Sequence, residues 1–158
     1  MVNAQLVVIG DELLVGRVQD TNTNFLARRL HDLGVELSST CTIRDRKDAI
    51  QHAFAEALDN HDIVIASGGL GPTPDDITKA VAAKQFGKRL VLDDAVLDRI
   101  EQYFIHIGRK MPAASTRQAL VPHGAIVLDN PVGLAPGLIL VKDHMSLILL
   151  PGVPIELQ

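Results

Sequence analysis

IVIASGGLGPTPDDIT, residues 63–78, is the stretch that decides the fold. Its first four residues, 63–66, form a short apolar run bounded by glycine, which is typical of a buried strand. Asp75 and Asp76 then stand before a helix that the pattern predicts over 77–85. The stretch therefore predicts a strand, a glycine-rich loop and a helix in direct succession.

The same alternation of strands and helices continues on both sides of this stretch. Further helices are predicted after Asp20, Asp45 and Asp93, each of which can cap a helix N-terminus. Further strands, some of them antiparallel, are predicted at 6–9, 35–43, 125–128, 138–141 and 147–150. Residues 111–122 are polar and are expected to be irregular. Because no repeat, linker or low-complexity tract interrupts the pattern, we predict a single α/β domain over residues 1–158.

Composition narrows the classes of function. Hydrophobic residues make up 47% of the 158 residues and aromatic residues only 3%, so the core is aliphatic, as suits parallel strands covered by helices. The 15 Lys and Arg against 19 Asp and Glu give a net charge of −4, which is not the basic footprint of a nucleic-acid-binding protein. The lone Cys41, the lack of a basic leader and the lack of an apolar run of about 18 residues predict a cytoplasmic protein without membrane spans.

The loop at 68–73 carries three glycines in four residues between a predicted strand and a predicted helix. Such a loop presents backbone N–H groups at the positive end of a helix dipole, where phosphate or pyrophosphate binds. The alternative is a plain tight turn, although three glycines exceed what a turn requires. The pattern is neither the Walker A loop nor the dinucleotide fingerprint, which disfavours kinases and dinucleotide dehydrogenases. The predicted phosphate site consists of Gly68, Gly69, Leu70, Gly71, Pro72 and Thr73.

Acidic residues follow the first three predicted strands, at the edge where open α/β sheets bind ligands. They are Asp11 and Glu12 after the first strand, Asp45 after the second, and Asp75 and Asp76 after the third. Neighbouring strands lie about 4.8 Å apart, so we expect these carboxylates beside the phosphate site. One or two carboxylates and substrate phosphates are a usual environment for Mg²⁺, which predicts a divalent cation here. The alternative is that Asp45, Asp75 and Asp76 only cap helices.

The sequence does not decide the roles of two segments near the C-terminus. Residues 130–137 are dense in turn formers and are either a plain connector or, through Asn130 and Gly133, a wall of the ligand pocket. Residues 151–156 look like a loop entering a helix. Because the chain stops at Gln158 before that helix is complete, we expect this segment to belong to something longer.

Three parts of the sequence together resemble one known family. They are residues 10–14 with 20–22, residues 68–78, and residues 150–154. Over essentially its whole length the chain resembles the molybdopterin-binding (MoaB/MogA-like) domain family, and within it most closely the N-terminal domains of CinA-type competence/damage-inducible proteins. The string Gly-Gly-x-Gly-Pro-Thr-x-Asp-Asp-x-Thr is the specific part of this match.

The resemblance implies a three-layer α/β/α sandwich with a mostly parallel, mixed sheet, a cytoplasmic location and a homo-oligomer, either a dimer or a trimer. In the molybdenum cofactor enzymes of the family, an Mg²⁺–ATP-dependent member adenylylates molybdopterin with the glycine loop and two aspartates. Those two aspartates match Asp45 and Asp76 here. The resemblance also extends the phosphate site to Thr78 and Gly152.

In CinA-type proteins the corresponding domain is associated with hydrolysis of ADP-ribose at its pyrophosphate, and a separate C-terminal domain deamidates nicotinamide mononucleotide. This chain contains none of that second domain, so the resemblance implies no deamidase activity. The form Gly-Gly-Leu-Gly-Pro-Thr-x-Asp-Asp departs from the adenylyltransferase subgroup, which more often has Gly-Gly-Thr-Gly and a single aspartate. This departure favours a nucleotide pyrophosphatase.

Three functions are therefore considered. The first is a pyrophosphatase for ADP-ribose-like nucleotides, with Asp45 and Asp76 catalytic and with Mg²⁺, Mn²⁺ or Co²⁺ held by Asp45, Asp75 and Asp76; the secondary candidates are Asp11, Glu12, Asn130 and Gly133. The second is transfer of AMP from ATP to molybdopterin. The third is a non-catalytic module for nucleotide sensing or oligomerisation. In each case the expected partner is a small phosphorylated ligand (ADP-ribose, AMP, ATP or molybdopterin), and neither nucleic acid nor a membrane.

Overall fold

The computed structural model describes residues 2–158. In this part of the chain the strands are β1 (Asn3–Ile9), β2 (Glu36–Ile43), β3 (Ile63–Ser67), β4 (Leu90–Leu92), β5 (Leu120–Pro122), β6 (Ile126–Leu128), β7 (Gly137–Lys142) and β8 (Met145–Leu150). The helices are α1 (Asp11–Leu14), α2 (Asn22–Asp32), α3 (Lys47–Asn60), α4 (Thr78–Gln85), α5 (Asp94–His106) and α6 (Pro154–Leu157), with a 3₁₀ helix at Ala113–Ala119. Across residues 2–158, no helix combines the length and apolar character needed to cross a membrane.

Six strands form one sheet in the order β2-β1-β3-β8-β7-β6. The four strands β2, β1, β3 and β8 are parallel neighbours, whereas β7 runs antiparallel to both β8 and β6. Helix α2 covers one face of this sheet, and helices α3 and α4 cover the other. The predicted three-layer α/β/α sandwich with a mostly parallel, mixed sheet is confirmed.

Strand β1 shows why its sequence is a continuous apolar run and not an alternating one. Val7 and Ile9 point into the core that α3 and α4 share, while Leu6 and Val8 point into the core beneath α2. All four side chains are buried, and each such side chain stabilises the fold by roughly 1.5–3 kcal/mol. A strand enclosed on both faces places its carboxyl end, and the loop that follows, at a fixed position in the sheet.

One part of the predicted organisation is wrong. Residues 111–122 are not irregular throughout, because the 3₁₀ helix and β5 lie there, and β5 pairs antiparallel with β4 in a separate two-stranded sheet. The side chains of Val96 and Ile100 on α5 pack against Ala119 in a small core of their own. Three-residue strands carry too little periodicity to be recognised, and here a tertiary contact determines them.

The predicted helix caps divide into two groups. Asp93 accepts a hydrogen bond from the Val96 amide at 3.0 Å and caps α5 as predicted, while Asp20, which precedes the N-cap residue Thr21 of α2, accepts one from the Thr23 amide at 3.0 Å. In contrast, α3 begins after Arg46 and α4 begins after Ile77, and neither start has a side-chain cap. The alternative that Asp45, Asp75 and Asp76 serve as helix caps is therefore wrong.

Candidate functional site

The glycine loop lies where the carboxyl ends of the central strands meet. It follows Ser67, the last residue of β3, and β3 lies between β1 and β8 in the sheet. The amide of Gly68 donates to the carbonyl of Leu150 at 3.1 Å, which continues the β3–β8 ladder by one bond. The loop therefore begins from a rigid position at the carboxyl ends of the strands, where open α/β folds bind ligands.

The backbone amides of the loop are partly used within the chain. The Gly68 amide is bonded to Leu150, the Thr73 amide donates to Oδ2 of Asp76 at 2.8 Å, and Pro72 has no N–H. Among the described residues, the N–H groups of Gly69, Leu70 and Gly71 have no acceptor. The Leu70 side chain is buried in the core and anchors the loop from beneath. The loop thus offers three amides to a ligand, fewer than the sequence predicts.

Gly68 and Gly152 are glycines because two strand ends approach closely there. Gly68 has a φ of +112°, and a Cβ at this residue would overlap the carbonyl oxygen of Ile9. A Cβ on Gly152 would lie 3.2 Å from the Cα of Gly68. Both residues therefore allow close packing beneath the glycine loop, and the amide of Gly68 is used in its bond to Leu150.

Gly69, Thr78 and Asp45 come together beside the loop. Gly69 has a φ of +69°, and a Cβ there would overlap the Thr78 hydroxyl and lie 3.6 Å from Oδ1 of Asp45. Thr78 is fully buried, and within residues 2–158 neither its Oγ1 nor the buried Oδ1 of Asp45 has a hydrogen-bond partner. Buried polar atoms are almost always paired, so two unpartnered oxygens near one glycine indicate a place that binds a donor or a cation.

Asp45 lies in the most negative part of the site. Burial, followed by the charges of Asp76, Asp11, Glu12 and Asp75 in that order, raises the pKa of Asp45 from 3.8 to about 6. The acidic residues that follow the first three strands thus all contribute to the negative potential at Asp45. A bound cation would relieve this repulsion.

Asp76 lies over the far end of the loop. Its Oδ2 accepts from the amide and the hydroxyl of Thr73, at 2.8 and 2.6 Å. A Cβ on Gly71 would lie 2.6 Å from the same oxygen, so the glycine makes room for this carboxylate. One oxygen of Asp76 thus orders the loop, and the other is available to a ligand. Asp75, the preceding residue, is exposed.

The remaining acidic candidates lie at the end of β1. Asp11 and Glu12 form the first turn of α1, Oδ1 of Asp11 lies 3.8 Å from the Arg44 guanidinium, and Glu12 folds back against Gly10. In the part of the chain that the structure describes, no three His, Cys, Asp or Glu side chains lie close enough to form a metal centre on their own. Any cation here would need ligand oxygens in addition to one or two carboxylates, which is how Mg²⁺ usually binds.

A cavity of about 500 Å³ opens next to the loop. Leu70, Gly71 and Pro72 form its near end. Its other walls come from four separate segments, represented by Phe104, Gln118, Ala135 and Glu156. This volume is typical of small-molecule pockets. The sequence analysis offers only one of these walls, residues 130–137, since the others are distant from one another in the chain.

Asn130 and Gly133 shape the wall of this cavity that residues 130–137 supply. The buried Asn130 amide donates to the carbonyl of Ala135 and to Oε2 of Glu156, each at 2.8 Å. A Cβ on Gly133 would overlap the Glu156 carboxylate. The structure thus places Gly133 in the cavity wall, while Asn130 holds the turn from outside the cavity lining, and binding of a ligand there stays a prediction.

Lys79 is a residue that the sequence analysis missed. It is only 7% exposed, and its Nζ donates to the carbonyls of Arg117 and Gln118 at 2.8 and 3.2 Å. Burial lowers its pKa from 10.5 to about 8, although the charge of Asp76 acts in the opposite direction. Lys79 thus joins α4, which follows the glycine loop, to the 3₁₀ helix at the cavity wall. A lysine in a helix gives no local sign of such burial.

Asn22 is a second buried polar residue at the base of the loop. Its amide donates to the Ser67 hydroxyl at 3.1 Å and to the Gly152 carbonyl at 2.8 Å. Ser67 in turn donates to the carbonyl of Pro151 at 3.2 Å. These bonds connect the start of α2 to the ends of β3 and β8, and they give a structural role to a residue of the segment 20–22 on which the family resemblance rests.

Comparison with known proteins connects this geometry to one family. The family model described as "Probable molybdopterin binding domain" matches residues 5–158. A CinA-like protein of Syntrophomonas wolfei is 44% identical over 158 residues, which are 100% of this chain and 38% of that protein. The crystal structure of the protein CinA from Thermoplasma acidophilum, described as having unknown function, matches with a TM-score of 0.90 and 36% identity over 98% of this chain and 90% of that one.

A more distant structure shares the fold. A molybdopterin biosynthesis protein from Mycobacterium abscessus has a TM-score of 0.64 and 18% identity, over 98% of this chain and 84% of that one. At that identity the match concerns the fold alone. The chain spans about 38% of the length of the curated relatives that it matches. The family resemblance predicted from residues 10–14, 68–78 and 150–154 is confirmed.

Proposed function

Since this chain belongs to the family whose model is described as a probable molybdopterin binding domain, we propose that it hydrolyses the diphosphate of an ADP-ribose-like nucleotide with the help of a divalent metal ion. One observation carries the proposal. The glycine loop has three unpartnered amides, and at Gly69, the first of them, a Cβ would lie 3.6 Å from a buried Oδ1 of Asp45 that also has no partner among residues 2–158. Amides suit the phosphate oxygens, and the carboxylate suits a cation that accompanies them.

The loop accounts for diphosphate binding. The N–H groups of Gly69, Leu70 and Gly71 follow one another along the chain and precede α4, an eight-residue helix whose N-terminal end carries a partial positive charge. Successive free amides at such a position form a concave anion site. The fully buried Thr78 hydroxyl supplies one further group that can donate a hydrogen bond to a phosphate oxygen.

Asp45 and Asp76 are the residues that would hold the metal ion, Mg²⁺, Mn²⁺ or Co²⁺, with Asp75 adding charge from the surface. The fit rests on the unpartnered Oδ1 of Asp45, on the second oxygen of Asp76 and on the negative potential that the neighbouring carboxylates create. When bound, such an ion neutralises phosphate charge and polarises phosphorus for attack by water.

The reaction itself is a hydrolysis. The oxygen of water forms a new bond to one phosphorus, the bond from that phosphorus to the bridging oxygen breaks, and AMP and ribose 5-phosphate leave with the protons of water shared between them and the solvent. The loop amides would hold the diphosphate in line for this attack and stabilise the charge on its non-bridging oxygens. Asp76 keeps the loop in its binding shape through its two bonds to Thr73.

A second candidate is transfer of AMP from ATP to molybdopterin. The description of the matching family model favours it, since that description names molybdopterin. The two functions need the same phosphate loop and differ in what attacks phosphorus, which is water in one case and a molybdopterin phosphate in the other. A non-catalytic nucleotide-sensing module is the third candidate, and it would use the same loop without turnover.

The deciding experiment measures AMP release from ADP-ribose in the presence of Mg²⁺, Mn²⁺ or Co²⁺. We expect release in at least one of these ions, and its loss in Asp45→Asn and Asp76→Ala. No release above that of the Asp76→Ala variant in any ion would contradict the proposal. ATP consumption that depends on added molybdopterin would support the second candidate, and saturable ADP-ribose binding without turnover would support the third.

A further inference from the structure

We propose that the cavity beside the glycine loop binds the adenine ring of the nucleotide and that the side-chain amide of Gln118 recognises it. This inference rests on the proposed function only in that the occupant is a nucleotide. It adds a base-reading residue and a preference among bases. Neither the sequence motifs nor the comparisons assign Gln118 any role.

The position of the cavity follows from the loop. Leu70, Gly71 and Pro72 form both the phosphate loop and the near end of the cavity. A nucleotide whose phosphates contact the amides of Gly69, Leu70 and Gly71 therefore has the cavity within reach of its nucleoside. Its volume of about 500 Å³ is within the range of pockets that enclose small organic molecules.

One wall of the cavity is aromatic. Tyr103 and Phe104 line it, with ring centroids 5.5 Å apart in an edge-to-face arrangement. Tyr103 is 46% exposed, so its ring is accessible to a ligand that enters the cavity. Stacking of a base on an aromatic side chain contributes favourably to binding and suits any flat heterocycle.

Gln118 supplies the selectivity that stacking lacks. It lines the cavity, it is only 4% exposed, and its buried Oε1 has no hydrogen-bond partner in the described part of the chain. A buried amide without a partner is unfavourable, which indicates a group that a ligand completes. A carboxamide has a donor and an acceptor side by side, and adenine has the matching pair in its N6 amino group and N7. Hypoxanthine has two acceptors at this edge and cannot satisfy both halves of the amide.

The main chain of Gln118 is held in place from the phosphate side. Nζ of Lys79 donates to the carbonyls of Arg117 and Gln118, and Lys79 is the second residue of α4, directly after Thr78. A charged donor on two carbonyls is a strong restraint. The phosphate loop and the base-reading amide are therefore tied to the same helix, and a rigid nucleotide site requires such a fixed relation.

The test compares binding of AMP with that of IMP, which differs from AMP at the recognised edge, by titration calorimetry. We expect the unmodified chain to bind AMP at least tenfold more tightly than IMP. Gln118→Met, which keeps the length of the side chain and removes the amide, should weaken AMP binding at least tenfold and leave IMP binding within about twofold. Gln102→Met, at an exposed glutamine of α5, is the matched control and should change neither affinity.

Gln118→Glu is the second variant, used if Gln118→Met unfolds in urea too readily to be measured, since it preserves the shape of the side chain and its acceptor oxygen. It loses the donor half of the amide, so adenine N7 faces a carboxylate oxygen and AMP binding should weaken about tenfold, while IMP, which offers two acceptors, should bind no better than AMP. Equal binding of AMP and IMP by the unmodified chain, AMP binding unchanged in both variants, or no AMP binding would overturn the inference. If ADP-ribose is not hydrolysed but AMP is preferred through Gln118, the proposed function fails and this inference stands. If ADP-ribose is hydrolysed but AMP is not preferred over IMP, this inference fails and the proposed function stands.

Discussion

Two helix-entry segments of this chain share a sequence signal and differ in what their aspartates do. Asp93 precedes α5 and accepts a hydrogen bond from the Val96 amide at 3.0 Å, so its carboxylate stabilises the helix. Asp45 precedes α3, caps nothing, and leaves a buried Oδ1 without a partner among residues 2–158. A carboxylate that the helix does not use is available to a ligand. The comparison separates an aspartate that stabilises a helix from one that we propose binds a ligand.

Among the variants that test this comparison, Gly69→Ala is expected to have the largest effect on ligand binding and on stability. The backbone φ of +69° is unfavourable for alanine by about 1–2 kcal/mol, and the new methyl group would overlap Thr78 beside Asp45. The overlap adds roughly 1–3 kcal/mol. We expect ADP-ribose binding to fall below detection in titration calorimetry and the free energy of unfolding in urea to fall by at least ~2 kcal/mol.

Gly34→Ala is the matched control for that variant. Gly34 has a φ of +73°, and a Cβ there meets nothing within 4 Å. Its substitution should reduce the free energy of unfolding by about 1 kcal/mol and leave ADP-ribose binding unchanged. Equal loss of binding in both variants would mean that global stability, and not the space beside Gly69, controls binding.

The next largest effect concerns catalysis. Asp45→Asn keeps the shape of the side chain and removes its charge, so metal-dependent AMP release from ADP-ribose should fall roughly a hundredfold or more. Asp93→Asn makes the same chemical change at the helix-capping aspartate and should leave the rate of release within about twofold. Similar losses in the two variants would remove the distinction drawn between the two segments.

The reverse pattern is expected for stability. Asp93→Ala removes the cap of α5 and should lower the free energy of unfolding in urea by about 1 kcal/mol. Asp45→Ala removes no cap and relieves repulsion with Asp76, so it should not lower the free energy of unfolding. A larger loss of stability in Asp45→Ala than in Asp93→Ala would show that Asp45 has a structural partner.

The smallest effect is a pH dependence of stability in the metal-free protein. The pKa of Asp45 is raised from 3.8 to about 6 on folding, so the folded state retains a proton that the unfolded chain releases in that interval. The stability from this proton is full below pH 3.8 and is lost as the pH rises through about 6. Asp45→Asn should therefore be more stable than the unmodified chain above that interval, and urea titrations should show the difference shrinking on acidification. A difference that grows on acidification would contradict this sign.

The layered architecture and the site motif could be predicted from the sequence because both are local signals. Each signal spans only a few residues of the sequence. These signals are the apolar runs of β1 and β3, the glycines of the loop, and the aspartates that follow the strands. Parallel strands then bring their carboxyl ends to one edge, so the neighbourhood of Asp45 and Asp76 follows from topology. The functions of these residues remain predictions.

The cavity and its supports could not be predicted in this way. Tyr103 lies on an amphipathic helix, Gln118 in a 3₁₀ helix and Glu156 in a four-residue helix, and only tertiary packing brings them to one cavity. Lys79 looks in sequence like any surface lysine of a helix, and its burial depends on the carbonyls of Arg117 and Gln118, which approach it from a distant segment. Hydrogen bonds of this kind have no periodicity to detect.

The pairing of β3 with β8 has a consequence for synthesis of the protein. Ser67 pairs with Leu150, so the strand that carries the glycine loop obtains one of its two neighbours only from the last strand of the described sequence. During translation, β3 leaves the ribosome before β8. The backbone groups of β3 that later pair with β8 therefore have no strand partner until the intervening segments are made. Such a strand is slow to complete its fold and is exposed to association with other chains in the interval. Chaperone dependence during translation should therefore concentrate on this strand.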